Sequence, residues 1–222
     1  HDGDAGIDLF SAVDVELLGV DGMRARVVTP AGERQIQTPL VGRGNLSNLL
    51  AATAVALEFG SSLDEIAATA PNLRAADRRG VVVRLRDGVV LIDDSYNSSP
   101  RALARALETV TSDAGSLRKV AVVGEMLELG THALDLHREA GRLAAAAGLG
   151  LLFAVGGAPA RALAEAAIEA GMPASAVTYV EQSELAAGQI VEAIRPGDVV
   201  LVKGSRGTRT DIVADRIATV FV

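Results

Sequence analysis

Three polar clusters carry the residue types from which a site for a charged ligand could be built. Asp93-Asp94-Ser95-Tyr96-Asn97-Ser98-Ser99-Pro100 joins paired carboxylates to an aromatic ring and an amide. Adjacent aspartates suit a metal ion, a sugar diol or simply a turn with its helix cap, and as a bare pattern the turn is favoured. A carboxylate at a strand end is nonetheless suited to accept hydrogen bonds from a ribose diol. Lys203-Gly204-Ser205-Arg206-Gly207 brings two cations, a hydroxyl and two glycines whose N–H groups can face a carboxylate or a phosphate. Its plain alternative is a basic surface loop. The third cluster is Gly124-Glu125-Met126-Leu127-Glu128-Leu129-Gly130, followed by His132 and His137. At about 100° per residue those histidines point roughly 140° apart around a helix, which is poor geometry for joint metal ligation, so no metal site is expected from them. His137 either approaches a ligand or is a solvated histidine near a helix start.

The elements around these clusters are legible from periodicity. From Val13 to Leu40 apolar and polar residues alternate between glycine turns, which predicts a three-stranded antiparallel meander. Helices are expected over Asn45 to Phe59, closed by Gly60, and over Leu63 to Thr69, ended by Pro71. From Arg79 onward apolar strands alternate with alanine-rich helices. The strands are Val81 to Leu85, Val89 to Asp93, Lys119 to Val123, Leu151 to Val155, Val177 to Val180 and Val199 to Val202. The helices are Pro100 to Val110, Leu134 to Ala147, Pro159 to Ala170, Ser183 to Ile194 and Thr210 to Val220. Strands without alternation are buried on both faces, so the fold class is α/β with a Rossmann-like, doubly wound, mostly parallel sheet. Ser98 or Ser99 before Pro100 reads as a plain helix start. The polar stretch Asn72 to Arg78 divides residues 1–73 from 74–222. Ligands of such sheets bind beyond the strands' carboxyl ends, where all three clusters fall.

Composition narrows the function. The chain has 222 residues, no cysteine and a formal charge of -7, which excludes disulfides and thiolate sites and opposes binding to a phosphate backbone. No nucleic-acid partner is expected. Glycines and Pro159 break the uncharged stretch Leu143 to Ala160, so no membrane span is expected either. The acidic start His1-Asp2-Gly3-Asp4 reads as mid-protein sequence. Neither a G-x-x-x-x-G-K-[ST] phosphate loop nor a complete G-x-G-x-x-G occurs, since Ser47 stands where Gly42-Arg43-Gly44 would need a third glycine. The chain has neither familiar device for holding a triphosphate.

The three clusters, together with Leu136-His137-Arg138-Glu139 and Gly42-Arg43-Gly44-Asn45-Leu46-Ser47-Asn48-Leu49-Leu50-Ala51-Ala52, occur in the order and at the spacing of the Mur ligase family, which the sequence resembles over nearly its whole length. The resemblance implies the last part of a central ATPase domain (residues 1–73, without its phosphate loop) followed by a C-terminal Rossmann-like ligase domain (74–222). It implies an ATP-dependent, cytoplasmic amide ligase of peptidoglycan precursor synthesis, with Mg2+ held mostly by residues of the missing half. The substrates implied are a UDP-N-acetylmuramoyl-tripeptide, activated as an acyl phosphate, and D-alanyl-D-alanine; a monomer is expected, inactive as the isolated chain. By match to the family's motifs, Asn45 and Asn48 would contact the adenine side, Arg79 the phosphates and Asp94 the ribose, with Tyr96 and Asn97 bordering the nucleotide. Lys203, Ser205 and Arg206 would lie at the dipeptide end, with His137 near the substrate and Arg79 and Lys203 as the catalytic cations. Gly44 replaces the family's usual histidine, Ser98-Ser99 an Ala-Asn pair, and Thr208 a methionine. Another amide ligase of the superfamily, such as folylpolyglutamate synthase, and a non-catalytic binding module with this fold are the alternatives.

Overall fold

The computed structural model describes residues 10–112, 115 and 118–222. His1-Asp2-Gly3-Asp4 lies outside them. Contacts divide the chain into two compact units between Arg74 and Ala75.

The first unit is the expected meander, β1 (Ser11–Leu17), β2 (Met23–Thr29) and β3 (Gly32–Thr38), paired in that order and antiparallel. Alternation decides its two faces. Met23, Ala25 and Val27 of β2 are buried with Ile36, whereas Arg26 on the opposite face pairs with Asp14 and Glu33. Leu46 and Leu49 of α1 (Gly42–Glu58) join that core, as does Ala70. The helix opens three residues before the expected start, at Gly42. α2 (Leu63–Thr69) begins with a capping box in which Ser62 and Glu65 bond each other's backbone N–H, and it runs on into a short 3-10 turn at Ala70–Asn72.

The second unit is a six-stranded sheet in the order β4-β5-β9-β6-β7-β8. Its strands are β4 (Val81–Arg84), β5 (Val90–Asp94), β6 (Arg118–Gly124), β7 (Leu151–Val155), β8 (Val177–Val180) and β9 (Asp198–Lys203). All neighbours are parallel except β4, which returns antiparallel on β5. The Arg86–Gly88 turn is too short for a crossover, so this pair is a hairpin at the edge of an otherwise parallel sheet. Helices α3 (Pro100–Thr111), α4 (Ala133–Ala146) and α5 (Ala158–Glu169) form one packed set, and α6 (Ser183–Ala193) with α7 (Asp211–Val220) another. Alanine and glycine let helices approach closely. At Gly141 of α4 there is no room for a Cβ, which would collide with the carbonyl oxygen of Leu163 in α5. At the sheet's amino end Arg118 grips the buried Asp198 through two bonds of 3.0 and 2.7 Å, pinning the register of β6 against β9.

Candidate ligand site at the carboxyl ends of β5, β6 and β9

β5 and β9 lie side by side with Asp94 opposite Lys203. The Lys203 ammonium donates to Asp94 Oδ2 at 2.6 Å and to the carbonyl of Asn97 at 3.0 Å, and its side chain is only 3% exposed. Lys203, expected at the dipeptide end, lies buried as the counter-ion of Asp94, because the strand register delivers both to one point. Asp94 keeps 25% of its side-chain exposure, and its Oδ1 takes no hydrogen bond among the described residues. Burial pushes the Asp94 carboxyl up, against the opposing pull of Lys203. Neighbouring Asp93 turns back to the hydroxyl and N–H of Ser95, which makes it the turn-forming member of the pair. Ser99, rather than Ser98, caps α3 through the N–H of Ala102.

Beyond Asp94 the ring of Tyr96 is exposed, with the Arg79 guanidinium 4.1 Å from its centroid and that of Arg206 at 5.9 Å. Neither guanidinium has an ion-pair partner among the described residues; Arg79 feels Asp94 at longer range. Arg79 is held in place by its neighbour. Arg78, at a φ of 55°, forms two 3.0 Å bonds to Asp215 of α7 and accepts the N–H of Tyr96 on its carbonyl. Arg78 and Asp215 were missed from sequence; their only signal was the doubled arginine after the polar boundary.

The loops after β6 and β9 are tied together from behind. Ser205 donates its N–H to the carbonyl of Glu125 and accepts the N–H of Leu127 on its hydroxyl at 2.9 Å. Thr208 donates its hydroxyl to the same Glu125 carbonyl, and the Glu125 carboxylate accepts the N–H of Gly157 at the start of α5. The loop is therefore buried at Lys203, Gly204 and Ser205, and only Arg206 and Gly207 emerge fully. Ser205 ties the two loops to each other.

His137, expected near the substrate, packs inside the second unit. It is fully buried, with Nε2 accepting the N–H of Met126 at 2.9 Å and Nδ1 at 2.6 Å from the carbonyl of Ala133. A ring that accepts at Nε2 and donates at Nδ1 is neutral, and no nitrogen is left for a ligand. Burial pushes its pKa below the usual value. The unfolded chain takes up this proton near pH 6.5 while the folded chain resists it, so stability is present above that pH and is lost as pH falls below it. We expect up to about 1.4 kcal/mol per pH unit of acid destabilisation, absent in His137→Gln. Melting temperatures at pH 8, 7, 6 and 5 check this; parallel curves for the two proteins would contradict it.

Asn45 and Asn48 belong to the first unit, near the start of α1. Asn45 donates to the carbonyl of Val41 at 2.9 Å, and Asn48 is exposed. The second unit thus brings together Arg79, Asp94, Tyr96, Asn97, Lys203 and Arg206. Among the described residues no three histidine, aspartate or glutamate side chains are arranged to hold a metal ion. The family model described as Mur ligase, glutamate ligase domain matches residues 78–206, more than half of the chain and all of this cluster.

The chain belongs to the Mur ligase family. Curated relatives named UDP-N-acetylmuramoyl-tripeptide--D-alanyl-D-alanine ligase include a Mycobacterium leprae protein, 33% identical over 83% of this chain and 38% of its own length. A Bacillus subtilis protein of the same name is 30% identical over 81% of this chain and 39% of its own length. A crystal structure of MurF from Acinetobacter baumannii superposes with a TM-score of 0.82 at 28% identity, covering 98% of this chain and 46% of that one. This Mur ligase chain therefore spans less than half the length of the relatives it matches.

Proposed function

We propose that the chain is the carboxyl-terminal part of an ATP-dependent ligase that joins D-alanyl-D-alanine to a UDP-N-acetylmuramoyl-tripeptide during peptidoglycan precursor synthesis in the cytoplasm. The observation that carries this reading is the pair of guanidiniums without an ion-pair partner among the described residues, Arg79 and Arg206, both close to the exposed ring of Tyr96. Such a surface fits two anionic ligands at once, a nucleotide phosphate and a peptide carboxylate. Asp94 Oδ1 is the acceptor for ribose, and Asn97 borders the nucleotide.

ATP supplies the activation of the tripeptide carboxylate as an acyl phosphate. The residues of this chain hold charge in place. Arg79 meets negative charge that grows on the transferring group, and its stacking on Tyr96 means that little reorganisation is needed at the moment of reaction. Lys203 acts through Asp94 and the Asn97 carbonyl as a positioning residue. Mg2+ is assigned in this reading mostly to residues of the ligase outside this chain.

The test is phosphate release in a complete ligase carrying this sequence, with D-alanyl-D-alanine, glutamate or no amine acceptor. Dependence on D-alanyl-D-alanine supports the reading, and dependence on glutamate replaces it with the folylpolyglutamate synthase alternative. The isolated 222-residue chain should release none; turnover by it would overthrow the division of labour between the halves. In the complete ligase Arg206→Lys keeps a charge but loses the planar fork, so the KM for D-alanyl-D-alanine should rise by roughly 1 to 2 kcal/mol with ATP kinetics little altered. Equal effects on both substrates, with a lower melting temperature, would instead make Arg206 a loop brace.

A further inference from the structure

We propose that Leu127 is the specificity-determining residue for the amine substrate, forming an apolar floor for the methyl groups of a short dipeptide whose carboxylate is held by Arg206. This rests on the reading of D-alanyl-D-alanine as that substrate. Isolated exposed leucines are ordinary on protein surfaces. Leu127, at 41% exposed, differs because everything around it is fixed. Its own N–H is held by the buried hydroxyl of Ser205, the N–H of Met126 by His137, and the carbonyl of Glu125 by both Ser205 and Thr208. The fold thus uses four hydrogen bonds to present one apolar side chain at the ligand edge.

The side chain lies across Gly207, the residue after Arg206. A Cβ at Gly207 would come within 2.7 Å of Leu127 Cδ1, so glycine leaves the leucine seated against the loop backbone. Arg206 therefore has the Tyr96 ring on its guanidinium and the Leu127 methyls over its neighbouring residue. A cation next to an exposed aromatic ring, with an exposed leucine over the following residue, suits a small molecule with a carboxylate and short apolar substituents.

The test titrates the 222-residue chain by NMR with D-alanyl-D-alanine and with glycylglycine, which shares the backbone and carboxylate but lacks both methyls. Each methyl buried is worth about fourfold in affinity, so the wild-type chain should prefer D-alanyl-D-alanine by about fourfold to fifteenfold. Leu127→Ala should bring that ratio near one by weakening D-alanyl-D-alanine alone, and Leu127→Met should restore most of it. Arg206→Lys should weaken both dipeptides and leave the ratio. Saturable D-alanyl-D-alanine binding with a ratio that Leu127→Ala leaves intact overturns the role of Leu127 while sparing the proposed substrate. Failure of both dipeptides to shift the Leu127 and Arg206 loop resonances overturns both.

Discussion

Asp94→Ala should destabilise the folded chain by about 3 to 5 kcal/mol, because it leaves the Lys203 ammonium buried with only the Asn97 carbonyl for company. This exceeds the usual effect of losing a hydrogen bond, since the cost comes from the charge left behind and not from the bond removed. Urea unfolding of the wild type, Asp94→Ala and the double variant Asp94→Ala with Lys203→Met measures it. The double variant should regain most of the loss, as an apolar side chain of similar length needs no partner. A loss below about 1 kcal/mol in Asp94→Ala would show that Lys203 finds other solvation, and would return Asp94 to a purely ligand-facing role. A ribose contact by Asp94 is consequently better read from Asp94→Asn, which keeps an oxygen toward Lys203, with the KM for ATP as the measured quantity.

Gly141→Ala should also be damaging, by about 1 to 3 kcal/mol, in spite of alanine's higher helix propensity. Inside an isolated helix the substitution would gain about 1 kcal/mol. Here the added Cβ meets the backbone carbonyl of Leu163, with the amide of Ala167 and the Cβ of Ala166 close behind, and backbone cannot rotate away as a side chain can. α4 and α5 would have to separate along their packed length. Thermal unfolding decides the sign, and a raised melting temperature would mean that the two helices tolerate a wider spacing than the one described.

Most of the architecture was legible because it is written in local patterns. The valine-rich runs and the alanine-rich helices between them gave strand and helix positions within a residue or two, and Leu63–Thr69 was placed without error. The antiparallel return of β4 was not anticipated, since an apolar run carries no record of strand direction; only the brevity of the Arg86–Gly88 turn encodes it. At the ligand edge the polar clusters were recognised, but their internal division was not. Whether Lys203 faces out or in depends on where β9 inserts between β5 and β6, a relation between residues far apart in the chain. The same holds for His137 and Ser205. Each looks polar and reactive in sequence, and each is used as an internal bracket because a distant loop offers an unpaired N–H at that place. Arg78 with Asp215 and the Glu125 carboxylate at α5 belong to the same class of long-range polar pairs.

The strand that carries Lys203 is the last of the described strands and lies in the interior of its sheet, between β5 and β6. During synthesis the β4–β5 hairpin and the β6–β7–β8 group emerge first, and neither has a strand in common with the other. Both wait with open, valine-rich borders until Asp198–Lys203 leaves the ribosome and closes the gap. Pairing across such separations is slow, and unfilled strand borders invite other chains in the meantime. A polypeptide that stops before Asp198 should accordingly yield aggregates in place of a smaller soluble fold. The order of strands thus makes the arrival of β9 the step that gives Asp94 its counter-ion.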